Sequence, residues 1–400
     1  MTVSVHRGLT ELGPGPWDEL IGPRGFYAAS PWLRHAEATA GQAPYYFTAS
    51  DARGRRTGVL PAYPLDADTP YVFCSPGRVL DALHRGATGE GADWIAGLLP
   101  ALACGGRNPA HTKAGTDPSL DREARRATLG AMAAAAEREA GDAGLESVSF
   151  LYVDEEDELL RGVLAERGYV ALPGQTAYSL PVPEDGSFDS YLARFEQPRR
   201  MKIKREIRAL AEAGITYRTQ PLTADLVERL APLELALYAK YGTPADAGAF
   251  SGVLHSIARR VGTAARVTTA HLDGHLTGFV LTFTHRGEMY ARQTGFDYGA
   301  QGKLPLYFGL VYYELLRIAL AEGLGQIHYS VGSDRAKLLR GCTPRRQIAY
   351  VKPRRAELTA RLTALAQRLE PAAPAAADTM TAGTAADAAV AGPVGGAGAA

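Results

Sequence analysis

The sequence predicts an α+β protein built from two tandem domains of similar architecture. The chain has 400 residues, more than one ordinary hydrophobic core holds. The segment GLESVSFLYVDEEDELLRG (144–162) is echoed 179 residues later by GLGQIHYSVGSDRAKLLRG (323–341), with the same Gly-Leu opening and Leu-Leu-Arg-Gly ending. Each echo follows a helical run that ends in glycine. Helix, glycine and strand therefore form a unit that occurs twice.

A hairpin pattern also recurs upstream of each echo. FTASDARGRRTGVLPAYPL and TTAHLDGHLTGFVLTFTHRG both indicate a strand, a polar turn with glycine, and a strand that opens with Thr-Gly. Their offset is 220 rather than 179, so the first half carries about forty extra residues, which we place in an insertion near 70–117 of undefined fold. A tandem duplication explains both agreements.

The domain limits follow from this repeat. We predict an N-terminal domain over 1–185 and a second domain, expected to carry the chemistry, over 186–356. Residues 357–370 should end a terminal helix. The Ala/Gly-rich tail 371–400 cannot bury enough apolar surface to offset its ordering entropy and is predicted to be disordered.

The second half gives the clearer order of elements. Three strands, AARVTTAHLD, LTGFVLTFTHR and EMYARQTGFD, precede a helix over 304–322 and then the strands QIHYSV and RRQIAYVKP. Consecutive antiparallel strands followed by a helix crossover predict a mixed, mostly antiparallel and splayed sheet flanked by helices. In the first half, GFYAASPWLRHAEAT indicates an aromatic loop entering a helix, with Ser30 as its cap and Pro31 as its first residue.

Composition excludes several classes of function. Lys+Arg 43 balance Asp+Glu 43, so no DNA partner is expected and any nucleic-acid contact must come from a local patch. Three cysteines at unrelated spacings support neither a disulfide framework nor a zinc site. The sequence shows no apolar leader and no run long enough to cross a membrane, so we expect a cytoplasmic protein. Signatures of serine hydrolases, zinc peptidases, P-loop enzymes and nicotinamide enzymes are missing from the sequence.

One predicted helix carries a local concentration of positive charge. It begins at Pro198, ends at Gly214 and buries a stripe containing Ile203, Ile207 and Leu210. Only Glu206 offsets its charges internally. A patch of this kind suits RNA or phosphate, although a solvated helix face would have the same pattern. The six basic residues are Arg199, Arg200, Lys202, Lys204, Arg205 and Arg208.

Candidate site residues cluster in the second half. Strand alternation predicts that Tyr290, Arg292 and Thr294 share one face, as in a clamp for a carboxylate or phosphate, or as on a solvated strand. Lys303 precedes a helix N-terminus, where a cation is unfavourable unless an anion binds there too. Tyr307 is the tyrosine nearest the start of that helix.

The two echoes differ in charge. Asp334 and Lys337 are three residues apart in the second copy and become neighbours on a helical turn, whereas the first copy is acidic and lacks the lysine. This asymmetry predicts that only the second copy binds an anionic donor. An ordinary ion pair is the alternative for Asp334.

The segments EMYARQTGFDYGAQGKLPLYFGLVYYELLRIALAEGLGQIHYSVGSDRAKLLRGC and RFEQPRRMKIKREIRALAEAGITYR resemble the second half of the FemAB-like acyltransferases. That family is built from two tandem domains of the GNAT (Gcn5-related N-acetyltransferase) fold, and the resemblance covers about residues 20–353. It implies transfer of an acyl or aminoacyl group to an amine of a small molecule or peptide by direct attack. No covalent enzyme intermediate, metal or bound cofactor is implied, and the donor is aminoacyl-tRNA or acyl-CoA.

The resemblance also implies roles for particular residues. The reaction slot should open where the central strands splay, with backbone N–H groups of EMYARQTG at the oxyanion, and the D-x-x-K segment should border the acceptor channel. We therefore assign catalysis to Tyr290, Arg292 and Tyr307, and donor or nucleic-acid binding to the six basic residues of the helix at 198–214. Substrate binding is assigned to Lys303, Asp334, Lys337 and Arg340, and to Tyr27, Trp32 and Arg34 of the first half, with core packing as the alternative for Trp32.

Two departures from the family affect the expected substrates. The second half has no long helical-hairpin arm. The pyrophosphate loop of acetyl-CoA-dependent relatives, Q/R-x-x-G-x-G/A, is replaced by DYGAQGKLP (297–305), which slightly favours aminoacyl-tRNA over acyl-CoA. An acetyl-CoA-dependent small-molecule N-acetyltransferase and a non-catalytic duplicated domain that binds RNA or a partner protein remain the alternatives.

Overall fold

The computed structural model describes residues 1–69, 74–108, 112–240, 242 and 246–369. They form two compact units. The first unit contains 1–176 and the described chain from Arg345 onward, and the second contains 177–344. The chain thus enters the second unit nine residues before the predicted limit of 185 and returns to the first unit with its last strand, which pairs there.

The first unit is formed by the N-terminal part of the chain. Its strands are β1 Thr2–His6, β2 Tyr45–Ser50, β3 Arg56–Leu65, β4 Ala101–Cys104, β5 Gly115–Thr116, β6 Ser147–Asp154 and β7 Val170–Pro181, of which β7 runs on into the second unit. Its helices here are α1 Pro14–Ile21, α2 Ser30–Ala38, α3 Pro76–Thr88, α4 Arg122–Asp142 and α5 Glu158–Glu166. Short 3-10 turns cover Leu9–Glu11, Pro23–Ala28 and Asp93–Leu98.

The second unit follows, and the last two elements of the chain belong mainly to the first. The strands are β8 Thr216–Pro221, β9 Ala265–Leu272, β10 His275–His285, β11 Glu288–Phe296 and β12 Gln326–His328, and then β13 Thr343–Pro353. The helices are α6 Phe188–Ala193, α7 Gln197–Glu212, α8 Ala224–Lys240, α9 Ala247–Arg260, α10 Tyr298–Gln301, α11 Leu306–Phe308, α12 Leu315–Ala321 and α13 Asp334–Leu338, and then α14 Ala356–Leu369. A 3-10 turn covers Gly262–Ala264 and a π-helical turn covers Gly309–Glu314.

The two units repeat one strand order. In the first, β1 to β4 pair antiparallel in sequence, β4 pairs parallel with β6, and β6 pairs antiparallel with β13. In the second, β8 to β11 pair antiparallel, β11 pairs parallel with β12, and β12 pairs antiparallel with the end of β7. The predicted α+β fold with duplicated, mixed sheets is therefore confirmed.

The segment predicted as an insertion contains part of the shared fold. Its described residues hold α3, a 3-10 turn and β4, and β4 is the counterpart of β11. Sequence patterning missed β4 because ALAC is four residues long and buried at every position, so it shows no alternation. Residues 70–73 and 109–111 of this segment lie outside the described residues, as does the tail predicted to be disordered.

The core of the second unit fixes where its helices lie. The segments α11, the π-helical turn and α12 run on as one helix over 306–321, the long helix. Residues of α7 and of the long helix pack on side chains of β10, β11 and β12 in one apolar cluster. On β11, Gly295 permits close approach of α8, because a Cβ added there would lie 2.5 Å from the backbone nitrogen of Glu234. None of the helices in the described ranges is long and apolar enough to cross a bilayer.

Candidate active site

A cleft opens where β11 and β12 diverge. They pair only from Glu288 to Tyr290, after which the chain follows β7 instead, since the amide of Tyr329 donates to the carbonyl of Tyr178 at 2.9 Å. The cleft has a volume of about 330 Å³. It is lined by Ala291, Arg292, Thr294 and Phe296 of β11, Leu237 and Lys240 of α8, Tyr298 and Gln301 of α10, Tyr307, Val311 and Tyr312 of the long helix, and Tyr329, Val331, Ser333, Ala336 and Lys337. The cleft lies where the resemblance to FemAB-like proteins implies the reaction slot.

A β-bulge places Arg292 at the cleft wall. Thr282 of β10 pairs with Ala291 and the adjacent Leu281 pairs with Gln293, so Arg292 is an extra residue on β11. Phe283 opposes Tyr290 and Val280 opposes Thr294, and these β10 residues point to opposite faces. The prediction that Tyr290, Arg292 and Thr294 share one face is therefore wrong, because simple alternation does not anticipate the bulge.

The cleft is cationic. Arg292, Lys240 and Lys337 line it, and no aspartate or glutamate is among the described lining residues. The ammonium of Lys240 lies 4.0 Å from the ring centroid of Tyr298, in a cation–π contact. Three positive charges in a concave, partly apolar site favour an anionic ligand. Lys240 is the last residue of α8. The sequence pattern does not show how α8 packs against β11, so it did not indicate that Lys240 reaches the cleft.

The ammonium of Lys337 is bound by backbone carbonyls of a strained loop. Its side chain is 4% exposed, and its ammonium donates to the carbonyl oxygens of Val331 at 2.6 Å and Ser330 at 3.2 Å. Ser330 and Ser333 both adopt left-handed backbone conformations, with φ of 56° and 51°. Such conformations are costly for residues other than glycine and cluster at functional sites. The loop thus fixes the cation at the cleft wall.

The equivalent residue of the first copy has the opposite charge. Glu158 aligns with Lys337 in the two echoes and forms an exposed ion pair with Arg122 at 3.3 Å. The charge asymmetry read from the sequence is thus expressed as a buried lysine in one copy and a solvated carboxylate in the other.

Three tyrosine side chains form one wall of the cleft. Tyr307 and Tyr312 approach to 3.5 Å between hydroxyl oxygens, and the rings of Tyr312 and Tyr329 lie 4.9 Å apart. The hydroxyl of Tyr329 donates to the carbonyl of Val311 in the π-helical turn at 2.9 Å. Burial raises the pKa of Tyr312 and of Tyr329 well above the ordinary value of 10.0, so both remain protonated at neutral pH. Neither hydroxyl is therefore suited to act as a base at neutral pH.

Tyr290 lies outside the cleft. Its ring is fully buried and stacks on His328 at 4.4 Å between centroids. The Nε2 atom of His328 lies 2.6 Å from Oε2 of Glu288, and both side chains are largely buried. Tyr290 and His328 are the last paired residues of β11 and β12 before the strands diverge. The catalytic role predicted for Tyr290 is not supported by its position.

A buried acid lies behind Arg292. Glu234 of α8 is 1% exposed, and its Oε1 accepts from Nε2 of Gln293 at 2.9 Å. Burial raises the pKa of Glu234 to about 7, while the Gln293 hydrogen bond and the positive charge of Arg292 oppose that rise. The signal available in the sequence was a single glutamate inside the apolar run LAPLELALY.

The other predicted substrate-binding residues of the second unit, Lys303, Asp334 and Arg340, do not line the cleft. Lys303 is exposed and is not among the cleft residues. Asp334 is exposed and hydrogen-bonds the hydroxyl of Tyr178, whose pKa is raised to about 12 by burial and by this carboxylate. Arg340 is 1% exposed and forms an ion pair with Glu206, so it lies in the interior rather than in the cleft.

The helix predicted to be basic is α7, and it borders a second, open groove of about 570 Å³. Arg199, Lys202 and Arg205 line this groove; Lys204 and Arg208 are exposed elsewhere on α7, and Arg200 donates to the carbonyl of Phe195 at 2.9 Å. The other lining residues are Arg194, Phe195, Glu196, Pro198, Leu338 and Leu339.

Residues of the short helix α13 and its end line both the groove and the cleft. Ala336 and Lys337 line the cleft, whereas the next two residues, Leu338 and Leu339, line the groove. The groove beside the basic helix and the cationic cleft therefore both border α13.

Two backbone amides of the loop 297–305 are engaged within the loop itself. The carboxylate of Asp297 accepts from the amides of Gly299 at 3.0 Å and Ala300 at 2.9 Å. These two amides of α10 are therefore not available to an anion.

The candidate residues of the first unit form an aromatic cluster. Tyr27 and Trp32 are buried and pack edge to face at 4.9 Å between ring centroids, and Trp32 also packs on His35 at 4.7 Å. Arg34 is exposed on α2. Burial agrees with the core-packing alternative for Trp32.

Comparison with known proteins agrees with this architecture. The model of the FemAB-like family, described as peptidoglycan biosynthesis/recognition, matches residues 114–385. No curated protein shares significant sequence similarity with the chain. The matched range 114–385 includes the bulged strand β11, the long helix and α13, which build the cleft.

Solved structures share the fold at low sequence identity. FemX has a TM-score of 0.62 at 11% identity, with 91% of this chain and 100% of that chain covered. A conserved protein of unknown function from Bacteroides thetaiotaomicron has a TM-score of 0.53 at 11% identity, covering 88% and 100%. A tandem GNAT protein from the clavulanic acid biosynthesis pathway has a TM-score of 0.51 at 16% identity, covering 88% and 98%. With the family match over most of its length, the chain belongs to the FemAB-like family.

Proposed function

We propose that the protein transfers an acyl or aminoacyl group to an amine in the cleft of its second unit, with aminoacyl-tRNA favoured over acyl-CoA as donor. The observation that carries the proposal is the cationic cleft, with the basic groove on the other side of α13. Membership of a family described as peptidoglycan biosynthesis/recognition supports a peptide amine, such as that of a peptidoglycan precursor, as acceptor.

The proposed step is a direct displacement. The neutral amine of the acceptor attacks the donor carbonyl carbon, a C–N bond forms, and the bond to the tRNA 3′-oxygen or the thioester sulfur breaks. The amine proton leaves with the departing hydroxyl or thiol, so atoms balance without a covalent enzyme intermediate. Arg292 and Lys337 would neutralise the phosphates of the donor, and the hydroxyl of Tyr307 would donate to the developing oxyanion.

Two features favour RNA over coenzyme A as the carrier. The groove offers Arg199, Lys202 and Arg205 next to α13, so a polyanion bound there could extend its end into the cleft. The amides of Gly299 and Ala300 are engaged by Asp297, so these two backbone donors are not available to a pyrophosphate. The fold shared with a tandem GNAT protein keeps acyl-CoA as the second candidate donor.

Ligand-induced thermal stabilisation tests the proposal. The purified protein is heated with acetyl-CoA, longer acyl-CoAs, mixed aminoacyl-tRNA or buffer at matched salt, because a ligand of the native state raises its stability. We expect stabilisation by aminoacyl-tRNA that persists at physiological salt. Stabilisation by a CoA ester alone would overturn the RNA donor and leave an acyl-CoA-dependent transferase.

Two sets of variants separate the enzyme from a non-catalytic binding domain. Arg292→Ala should abolish transfer while leaving RNA bound in the groove. Replacing Arg199, Lys202 and Arg205 by alanine should weaken RNA binding. If the wild-type protein binds RNA but transfers no amino acid to any tested amine, and only the groove variants change binding, the duplicated domain is a binding module.

A further inference from the structure

The buried pair Glu234 and Gln293 lies next to residues that line the cleft and is not used by the proposed reaction. Glu234 lies one helical turn before Leu237, which lines the cleft, and Gln293 follows the bulge residue Arg292. One hydrogen bond of 2.9 Å joins the two side chains. The remaining oxygens, Oε2 of Glu234 and Oε1 of Gln293, are buried without a hydrogen-bond partner among the described residues.

The backbone leaves this acid little freedom. A Cβ at Gly295 would lie 2.5 Å from the nitrogen of Glu234 and 2.5 Å from the carbonyl carbon of Leu233, so α8 rests directly on β11. An ionised carboxylate in such a dry position is unfavourable unless a positive charge compensates for it. Arg292 supplies the nearby positive charge, and Tyr238 of α8 is the other titratable group that interacts with Glu234.

We propose that Glu234 is a positioning residue for the cleft. It is the buried counterion that, through its charge and through Gln293, holds the bulge residue Arg292 at the cleft wall, and it takes up a proton when an anionic ligand binds to Arg292. This inference rests on the proposed function only in assuming that the cleft binds an anion.

The coupling follows from electrostatics. With the cleft empty, Arg292 partly compensates a carboxylate whose pKa lies at about 7. A bound anion competes for Arg292 and brings negative charge closer, and both effects favour the protonated acid. Anion affinity should therefore rise as the pH falls from 8 to 6, with proton uptake on binding largest slightly above pH 7.

Sulfate is the probe, because its own charge does not change between pH 6 and pH 8. Binding is followed by thermal stabilisation at both pH values, and proton uptake by calorimetry at pH 7.5 in two buffers of different ionisation enthalpy. For the wild-type protein we expect several-fold tighter binding at pH 6 than at pH 8, and a fraction of a proton taken up at pH 7.5. No activity is needed, so the result does not depend on whether transfer is ever observed.

Three variants assign the proton. Glu234→Gln keeps an acceptor for Gln293 but cannot ionise, so its sulfate affinity should be as high as that of the wild type at pH 6 and should not change with pH. Arg292→Gln should lose the pH-dependent part of binding, and any sulfate that remains bound reports on the basic groove. Glu228→Gln is the matched control, since Glu228 lies on the same helix but is exposed and paired with His255.

Three results would overturn the proposal. The first is sulfate binding by the wild type with no pH dependence and no proton uptake. The second is the absence of any sulfate binding that depends on Arg292, and the third is a Glu234→Gln protein that retains the wild-type pH dependence. Should Glu234→Gln fail to fold, the proposal is still overturned by a wild type without pH dependence or proton uptake, or by an Arg292→Gln protein that keeps both.

Discussion

The guanidinium of Arg340 is ion-paired with the carboxylate of Glu206, with Nη2 2.9 Å from Oε2. Glu206 is the one acid within the basic stretch of α7, and it also accepts a hydrogen bond from the hydroxyl of Tyr313. Its charge is therefore used inside the unit, which leaves the outward-facing cations of α7 to interact with solvent or ligand. Arg340 lies just after α13, so its ion pair with Glu206 links this part of the chain to α7. Through Tyr313, Glu206 also links α7 to the π-helical turn.

Removing one partner of this pair should be costly. Arg340→Ala leaves a largely buried carboxylate without its counterion, and we expect a loss of about 3–5 kcal/mol in the free energy of unfolding, measured by urea denaturation. Arg346→Ala, which breaks an exposed pair with Glu155, should lose less than about 1 kcal/mol. Equal losses in the two variants would contradict the structural role of Arg340.

Two glycine substitutions test the contact between α8 and β11. Gly295→Ala forces a methyl group against the backbone of α8 and should destabilise the protein by about 1–3 kcal/mol or more. Gly252→Ala lies at an exposed site of α9 with open space around it, and should stabilise by about 0.5–1 kcal/mol. Chemical denaturation of both variants measures the difference, and a neutral Gly295→Ala would show that the helix does not rest on the strand.

The raised pKa of Glu234 predicts a pH-dependent stability. The unfolded chain ionises this acid near pH 4.5 and the folded chain near pH 7, so the native state loses stability as pH rises between these values. Relative to Glu234→Gln, the wild type should lose roughly 3 kcal/mol across this window and then remain level. Denaturation curves at several pH values give the comparison. Parallel profiles for the two proteins would place the pKa of Glu234 in its ordinary range.

The groove residues should control the salt dependence of RNA binding. Each phosphate contact releases counterions, so the plot of log K against log salt has a negative slope. Replacing Arg199, Lys202 and Arg205 by alanine should make that slope less negative by about 2–3. Fluorescence titration of tRNA at several salt concentrations measures this slope. An unchanged slope would mean that these three side chains face solvent only.

Sequence reasoning reached the duplicated α+β fold because the two echoes and the hairpins repeat in order. It located β11, the long helix and α7, whose patterns are long and periodic. It missed β4, which is too short and too buried to alternate, and it gave β13 to the second domain because only tertiary pairing assigns that strand to β6.

The site was predictable in part for the same reasons. Arg292, Tyr307 and Lys337 were named from local sequence and do line the cleft. Tyr290 was misplaced because a bulge shifts the alternation by one residue. Glu234 and Lys240 come from a helix far from β11 in sequence, so only the packing of α8 on Gly295 brings them to the site.

The affinity of the protein for one tRNA species, compared between its aminoacylated and deacylated forms, tests most directly whether the groove and the cleft act as one site. We expect the wild type to bind the aminoacylated form more tightly. Arg292→Ala should lose that preference but still bind RNA, and the triple groove variant should weaken both forms alike. Equal binding of the two forms by the wild type, with no change in Arg292→Ala, would contradict the account.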